Sequence, residues 1–364
     1  MATTRAAPPT IKDIAKRAGV SISTVHYALR RTRPISDETR RRVLDAVQDL
    51  DYHPHAGAAT LPSGRTGRLA VVIGGIEPAF ANTYFSDFIR GLAAAAEEED
   101  HAVVLYTAYG RRAQEGWRPA HVMRRREADG ILLAGTQITE EHLNELAAIG
   151  TPCVVLNREH ASLPWIMPDR RQGARLGTAH LLGHGRRRLG LLAARYAGGT
   201  ADDQRPERLG FNDALIEHGL NPADHLVRFA PVTAEQADVN GAEATTSALV
   251  RGLVDAAERP GDAGMVVFSY TLGPRAARAV ERSGVHVPDE LGLVMGDEDP
   301  AARETMPIPP TTVQARKFEM AQEAARLLLR LVRHEEVPVE EQRQRFPMEL
   351  KLGWSCGARR RSSP

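Results

Sequence analysis

The side chains best suited to contact another macromolecule lie in one short stretch near the N-terminus. Within ISTVHYALR (22–30), Val25 and Leu29 recur at i and i+4, the spacing of the buried face of a helix. The outer face then carries Ile22, Ser23, His26, Tyr27 and Arg30. Hydroxyl, imidazole, phenol and guanidinium groups offer the donors, acceptors and positive charge that contact base edges and phosphate oxygens. The stretch therefore predicts a face that contacts nucleic acid.

Two further short helices are predicted to hold this face in place. The first has the i, i+3, i+4, i+7 spacing of a buried helical face at Ile11, Ile14, Ala15 and Ala18. Thr10 is placed to cap that helix, Gly19 to end it in a turn, and Ser21 to cap the next helix. A third helix is predicted after Ser36, with an apolar stripe at Val43, Leu44, Val47 and Leu50. Two helices joined by a tight glycine turn indicate a helix-turn-helix.

The charge distribution favours the same interpretation. Residues 1–66 carry 11 Lys and Arg against 6 Asp and Glu, a net charge of +5, whereas the other 298 residues sum to −4. A basic head on a mildly acidic body suits the neutralisation of phosphates. The alternative is a small helical bundle with solvated charges, which the position and the composition of the stretch disfavour.

Two runs of this head, TIKDIAKRAGVSISTV (10–25) and ISDETRRRVLDAVQDLDYHP (35–54), resemble the lactose-repressor (LacI/GalR) family of bacterial transcription regulators. The resemblance implies a sequence-specific regulator, a repressor, that binds a palindromic operator in double-stranded DNA as a homodimer. Base edges would be contacted by Ile22, Ser23, His26 and Tyr27, and phosphates by Thr10, Ser21, Thr24 and Arg30. Relatives usually carry Ser-Arg where this chain has His26 and Tyr27, so a different operator sequence is expected.

A Gly-, Pro- and Ser-rich segment follows the head and is typical of a hinge or linker over residues 55–67. The resemblance implies a short hinge helix on DNA, with Ala58 and Leu61 at the minor groove and Leu61 as a wedge between bases. The chain departs from the family here, because Gly57 weakens a helix and Pro62 ends it. The alternative is that Leu61 is an ordinary linker residue.

From residue 69 onward, short apolar runs alternate with amphipathic stretches. Strands are predicted at 69–73, 102–106, 130–134, 153–156, 189–194, 226–230, 265–269 and 291–295. Helical periodicity lies between most of them, for example at 84–99, 170–182 and 317–332. This pattern predicts an α/β fold with parallel, doubly wound sheets. Its length favours two lobes with a cleft, as in the family's body, which resembles periplasmic binding proteins.

The resulting domain organisation has five parts. Residues 1–9 form a disordered N-terminus, 10–54 the DNA-binding domain, 55–67 the hinge, 68–357 the two-lobed body that binds an effector and dimerises, and 358–364 a basic tail. After Thr311-Thr312-Val313 the chain is expected to cross between the lobes, and FPMELKL (346–352) to add one late strand.

The resemblance also implies a ligand in the cleft, at the carboxyl ends of the strands. NTYF (82–85) resembles the family's Asn-Pro-Phe-Phe and implies stacking roles for Tyr84 and Phe85. Asp169, before RRQGARL, matches the family's aspartate, and Asp297 falls on the acidic residue after strand 291–295. Each has an alternative role as a helix cap, a loop residue or a core aromatic.

Two departures bear on the identity of the ligand. The family's cleft arginine is Glu207 here, with Arg205 and Arg208 as displaced substitutes, and its Asn-Asp pair is replaced by Ser269 and Tyr270. Bidentate Arg, Asp and Asn groups normally hold the vicinal hydroxyls of a sugar. Either the effector is an unusual small polar molecule, sugar-like or nucleoside-like, with Arg208 and Tyr270 among its contacts, or the site is reduced.

Signatures of other functions are weak. HLLGH (180–184) has histidines at i, i+4 but lacks the glutamate of zinc proteases, and fits a helix followed by a loop. No Gly-rich cofactor fingerprint or nucleophile motif occurs, so we expect no enzyme activity, no cofactor and no metal. A soluble binding or transport component and an α/β enzyme with a regulatory head are the rival classes.

The N-terminal residues and the lengths of the apolar runs predict the cellular compartment. The N-terminus lacks an apolar signal segment, and no run reaches the about 18 apolar residues that span a bilayer. Cys153 and Cys356 are too far apart in sequence to suggest a motif, and Cys153 lies in a predicted strand. We expect a cytoplasmic, nucleoid-associated protein without membrane partners.

Overall fold

A computed structural model describes residues 9–30, 33–52, 65–74, 85–108, 116–135, 138–195, 201–231, 239–269, 272–296 and 308–357. The chain divides into two compact units, Met1–Thr66 and Gly67–Pro364. In the first unit, three helices are described: α1 (Ile11–Ala18), α2 (Ile22–Arg30) and α3 (Asp37–Asp49).

The head is held by a small apolar core in which all three helices take part. Its buried residues are Ile14, Ala15, Ala18, Val25, Ala28, Val43, Ala46 and Tyr52. The prediction that Leu44 belongs to this core is wrong, since Leu44 is 48% exposed. Val43, Ala46, Val47 and Leu50 follow the helical period, whereas Leu44 lies about 100° around the helix from Val43. Leu29 is only partly buried, and Ala28 takes the inner position beside Val25.

The second unit contains twelve strands among the described residues. In chain order they are β1 (Arg68–Gly74), β2 (Ala102–Ala108), β3 (Gly130–Gly135), β4 (Cys153–Leu156), β5 (Trp165–Pro168), β6 (Arg188–Arg195), β7 (Leu226–Pro231), β8 (Ala263–Phe268), β9 (Leu291–Gly296), β10 (Thr311–Ala315), β11 (Arg343–Phe346) and β12 (Met348–Lys351). The eight predicted strands all correspond to observed strands. The sequence did not predict β5, which has four residues and ends in proline, or β10, where only a crossing between lobes was expected.

Nine α-helices are described in this unit. They are α4 (Ser86–Glu97), α5 (Pro119–Arg124), α6 (Glu140–Ala148), α7 (Arg170–Gly183), α8 (Pro206–Glu217), α9 (Val239–Asp255), α10 (Gly273–Arg282), α11 (Lys317–Val332) and α12 (Val339–Gln342). The long predicted helices match α4, α7 and α11, which start and end within two residues of the expected positions.

Two six-stranded sheets organise these elements into two lobes. The first has the order β11-β5-β4-β3-β1-β2 and is parallel throughout. The second has the order β12-β10-β9-β8-β6-β7 and is parallel except for β12, which runs antiparallel to β10. Each sheet has an apolar core on both faces, so the α/β, doubly wound prediction is confirmed.

The chain passes between the lobes three times. It leaves the first sheet after β5, returns from β10 into α11, and crosses again between Phe346 and Met348. The predicted crossing after Thr311–Val313 is thus observed, but the single late strand over 346–352 is wrong. Pro347, which has no N–H, separates two short strands that pair in different sheets.

Hydrogen bonds tie the first and third crossings together. The Asp169 N–H donates to Phe346 O at 2.7 Å. The Gln172 side-chain amide donates to Met348 O at 3.3 Å and accepts from Met348 N at 2.9 Å. Helix α7 therefore begins at the point where the lobes are joined.

Among the residues described, no helix is long and apolar enough to cross a membrane.

Candidate DNA-binding surface and ligand cleft

The turn between α1 and α2 is fixed by local capping. Gly19 has φ 66°, the left-handed conformation that favours glycine at a helix C-terminus. At the other end of α1, the Asp13 carboxylate accepts hydrogen bonds from the Thr10 N–H at 2.8 Å and the Thr10 hydroxyl at 2.7 Å. These two bonds hold the pKa of Asp13 below its usual value. The Thr10 hydroxyl, predicted to contact phosphate, is thus already engaged with Asp13.

Helix α2 begins with a second cap. The Ser21 Oγ accepts from the Thr24 N–H at 3.1 Å and lies 2.8 Å from the Thr24 hydroxyl. Both residues predicted to contact phosphate here therefore hold the helix end, and their hydroxyls lie beside the first N–H groups of α2. A helix N-terminus of this kind attracts phosphate through its free N–H groups and its dipole.

The outer face of α2 carries the residues predicted to contact base edges. Ile22 is 41% exposed, Ser23 is exposed, and His26 and Tyr27 are half-buried, whereas Val25 is fully buried. The Arg33 guanidinium lies 5.1 Å from the centre of the Tyr27 ring, within range of a cation–π contact. The backbone of Arg30 ends α2, and its side chain lies outside the described part of the structure, as do Ala58 and Leu61. The four described side chains share one surface.

A residue that sequence reasoning missed holds this surface in position. Arg42 lies on α3, yet its Nη2 and Nε donate to Ala18 O at 2.7 and 3.2 Å, and Nη2 donates to Gly19 O at 3.3 Å. These carbonyls belong to the C-terminal end of α1 and the turn, where helix carbonyls lack partners within the helix. No local pattern signals this role, because Arg42 is 23 or more residues away from its acceptors.

The predicted effector residues are only partly described. Tyr84, Tyr270 and Asp297 lie outside the described residues. Phe85 is 3% exposed and belongs to the core of the first lobe, so the core-aromatic alternative describes its position. Asp169 caps α7, since its Oδ1 accepts from the Gln172 N–H at 2.9 Å, and it lies at the first lobe crossing.

Glu207, which stands where the family has its cleft arginine, forms an ion pair in the structure. Glu207 is 6% exposed and its Oε1 lies 3.2 Å from Nη1 of Arg170, so a partly buried ion pair occupies this position. Arg205 is also buried: its guanidinium donates to Asp202 and Ala194 O and lies over the Phe229 ring. The Arg205 guanidinium is therefore already engaged in contacts within the protein.

Asp202 pairs with Arg205, and the predicted cleft positions Arg208 and Ser269 are also described. Hydrogen bonds from Arg195, and then from Arg205, hold the pKa of Asp202 below its usual value. Arg208 is half-buried. Ser269, where the family has asparagine, is buried and its Oγ accepts from Leu272 N at 3.4 Å at the start of α10. Among the described residues, the Arg208 side chain forms no hydrogen bond or ion pair.

Comparison with known proteins decides the family. Residues 10–55 match the model of bacterial regulatory proteins of the lacI family, and residues 70–252 match periplasmic binding proteins and the sugar binding domain of the LacI family. The chain belongs to the LacI family. Residues 178–356 also match a periplasmic binding protein-like domain. This LacI-family member therefore carries both the regulatory head and the binding-protein body of the family.

Its relatives are transcription regulators. The chain is 28% identical to the regulator GalR of Escherichia coli (strain K12) over 334 residues, which cover 90% of this chain and 91% of GalR. It is 25% identical over 346 residues to the repressor PurR of Photobacterium profundum, covering 94% of this chain and 96% of PurR. These relatives are regulators and not enzymes.

Solved structures of the family share the fold. The lac repressor dimer bound to operator and the anti-inducer ONPF matches with a TM-score of 0.74 and 20% identity, over 96% of this chain and 99% of that chain. The regulator CelR in complex with cellobiose matches with a TM-score of 0.66 and 25% identity, over 95% and 99%. The likeness to the lac repressor shows that this LacI-family chain has the same architecture of head and two lobes.

Proposed function

We propose that this protein is a cytoplasmic, nucleoid-associated transcriptional repressor that binds a palindromic operator as a homodimer. The observation that carries the proposal is the outer face of α2, where Ile22 and Ser23 are exposed and His26 and Tyr27 half-exposed above a buried Val25. Side chains of this kind read the major groove, and a dimer reads two half-sites about one helical turn apart. The protein then acts by occupying DNA and catalyses no reaction.

Tyr27→Ala tests the groove-reading assignment. The probe is the DNA that flanks the protein's own coding region, searched for a short palindrome that the purified full-length chain protects from nuclease. On that site we expect Tyr27→Ala to weaken binding by about 1–3 kcal/mol, with little change on random DNA of equal length. Leu44→Ala, which truncates an exposed apolar residue on α3, is the matched control and should change neither affinity.

Equal losses on both DNAs would contradict base reading by Tyr27, because phosphate contacts weaken binding to all sequences alike. Protection of no palindrome anywhere in the flanking DNA, together with binding that does not depend on sequence, would contradict the proposed function itself.

The hinge prediction completes this proposal. Residues 55–61 are too few to form a stable helix alone, because isolated helices below about 12 residues are marginal, and Gly57 weakens the segment further. We propose that the segment becomes helical on the operator and that Leu61 wedges between bases. Gly57→Ala should tighten operator binding, and Leu61→Ala should weaken it and reduce DNA bending. Unchanged affinity and bending in both variants would make the segment a simple tether.

We also propose that a small polar molecule in the cleft modulates operator binding. CelR, a relative by structure, is described in complex with cellobiose, but the partly buried Glu207–Arg170 pair and the internal contacts of Arg205 leave a different set of polar groups here. Asp297, Tyr84, Tyr270 and Arg208 remain the proposed contacts. Such a ligand is expected to differ from an ordinary sugar.

A thermal-shift panel of sugars and nucleosides tests this part. A ligand at about 100 times its dissociation constant stabilises the body by about 2.7 kcal/mol. Asp297→Ala should abolish that shift and leave operator binding intact, whereas Asp203→Ala, which removes an exposed carboxylate in the same lobe, should keep it. No shift of the wild-type chain by any compound would favour the reduced site. We avoid Asp169→Ala for this test because Asp169 caps α7.

A further inference from the structure

Three side chains of the second lobe meet away from the cleft residues discussed above. His180 lies in the last turn of α7, His184 is its C-terminal cap, and Cys356 lies after β12. One ring nitrogen of each histidine and the Cys356 sulfur all lie within 4.8 Å of one another. The sequence alone predicted no metal here, because Cys356 is 172 residues from His184 and only the fold brings them together.

We propose that His180, His184 and Cys356 form a binding site for a Zn²⁺ ion. Two imidazoles and one thiolate are ligand types that Zn²⁺ favours, and a set of three protein ligands leaves a fourth tetrahedral position for water. His184 is exposed, so water and the ion reach this position from the surface. Its three residues are not among those proposed to contact the operator or the effector.

The orientation of His184 suits a ligand. Its Nδ1 lies 3.0 Å from His180 O, which can only accept, so Nδ1 carries the proton and Nε2 is left with a free lone pair. Histidines that bind metals usually donate their other N–H to a carboxylate or a backbone carbonyl in this way.

The other two ligands are also available. His180 Nε2 is buried and has no hydrogen-bond partner within the described structure, an arrangement that costs free energy unless a metal or a proton donor occupies it. Cys356 is fully buried.

The Cys356 sulfur accepts a hydrogen bond from the Thr311 hydroxyl. The Thr311 hydroxyl accepts from the Gly353 N–H at 3.0 Å, so its own proton is directed to the Cys356 sulfur, 3.0 Å away. Binding of the ion replaces the thiol proton, which is released to water, and forms one Zn–S and two Zn–N bonds.

The fit requires only a small contraction. With Zn–N bonds of about 2.0–2.1 Å and a Zn–S bond of about 2.3 Å, these three ligand atoms around a tetrahedral ion are about 3.3–3.6 Å apart. A small rotation of the exposed His184 side chain that keeps its Nδ1–H directed at His180 O would close the remaining ångström or so. One group opposes the ion: the buried Arg186 guanidinium interacts electrostatically with Cys356 and would repel a dication. The thiolate offsets part of that repulsion.

The test uses the full-length chain without a purification tag, reduced and stripped of metals with a chelator. Zn²⁺ alone is titrated against a chromophoric competitor, and Co²⁺ is used as a spectroscopic substitute. We expect one Zn²⁺ per chain, and a thiolate-to-cobalt charge-transfer band in the near ultraviolet. Removing a ligand should weaken binding at least about 100-fold, since even loss of a supporting hydrogen bond weakens metal affinity about 10- to 100-fold.

His184→Asn and Cys356→Ser are the test variants, and His218→Asn is the matched control. His218 caps α8 as His184 caps α7, with its Nδ1 2.8 Å from Ala214 O, but it lies outside the three-ligand group. His218→Asn should bind Zn²⁺ as the wild-type chain does, and Cys356→Ser should also lose the charge-transfer band.

Two outcomes would overturn the proposal: no binding of Zn²⁺ by the wild-type chain, or binding that His184→Asn and Cys356→Ser leave unchanged. His184 is exposed at a helix end, so its variant is expected to fold even if Cys356→Ser does not, and circular dichroism checks both.

Discussion

Replacing Arg42 tests how the DNA-reading helix is held in place. Arg42→Met keeps the aliphatic stem but removes the guanidinium, and with it the three hydrogen bonds to Ala18 O and Gly19 O. The carbonyls at the end of α1 then lose a cation that also complements the helix dipole. We expect the turn between α1 and α2 to open more often.

The size of the effect follows from the geometry. A hydrogen bond with a charged partner contributes about 1.5–3 kcal/mol, and we reduce this to about 1–2 kcal/mol because Arg42 is largely exposed. At about 0.05–0.15 kcal/mol per residue, a head of this size has a free energy of unfolding of about 2–6 kcal/mol. A loss of about 1–2 kcal/mol is a large part of that free energy, and it should raise the open population about 5- to 30-fold.

Hydrogen exchange of the full-length chain measures this population. Amides of α1 and α2 should exchange about 5- to 30-fold faster in Arg42→Met. Arg41→Met removes the same charge from the neighbouring, exposed position of α3, and should change exchange by less than about twofold. Equal acceleration in both variants would refute the capping role and attribute the effect to net charge alone.

Two further predictions concern the stability of the body, measured by urea unfolding. Gly210→Ala would place a Cβ 1.9 Å from Arg171 O where α7 and α8 meet, so we expect a loss of about 2–4 kcal/mol. Gly183→Ala, with no atom within 4 Å of the added Cβ, should be neutral or stabilising by up to about 1 kcal/mol, and equal effects would contradict the packing argument. Burial, and then the Arg188 cation, lower the pKa of His225, whose Nδ1 accepts a backbone N–H. The neutral imidazole is thus the folded form, so its contribution is full above about pH 6.5 and is lost as the pH falls below that value. The free energy of unfolding should fall as the pH is lowered from about 6.5 through the lowered pKa of His225, less steeply in His225→Asn, and an identical slope would contradict this.

The parts of the fold that follow from sequence are those with a local signal. Apolar runs such as 153–156 are buried on both faces of a sheet, so they can be recognised without knowing their neighbours. β5, β11 and β12 have four residues each, and Pro347 separates the last two. Nothing local says which lobe β11 and β12 join, because β11 pairs with β5 and β12 with β10, both far back along the chain.

The candidate sites divide in the same way. The caps formed by Thr10 and Ser21 were predicted as helix starts because they act within three residues. Arg42 and Cys356 carry no local signal of a role, since their partners are 23 and 45 or more residues away. Glu207 was recognised as a departure from the family, but its pairing with Arg170 depends on how α7 packs against α8.

The order of the lobe segments along the chain also affects folding during synthesis on the ribosome. The first lobe is built from the segment that ends at Pro168 and from a later segment that runs from α11 to β11. Helix α11 begins at Lys317 and covers one face of the sheet together with α4. A ribosome needs about 7–30 s to add the residues between Pro168 and Lys317. During that time the head has left the exit tunnel and can fold, while Leu69, Val71 and Ile166 of the sheet lack this covering helix. A nascent chain that terminates early would thus carry a complete head on a body with an open apolar face, which marks it for chaperones and proteases.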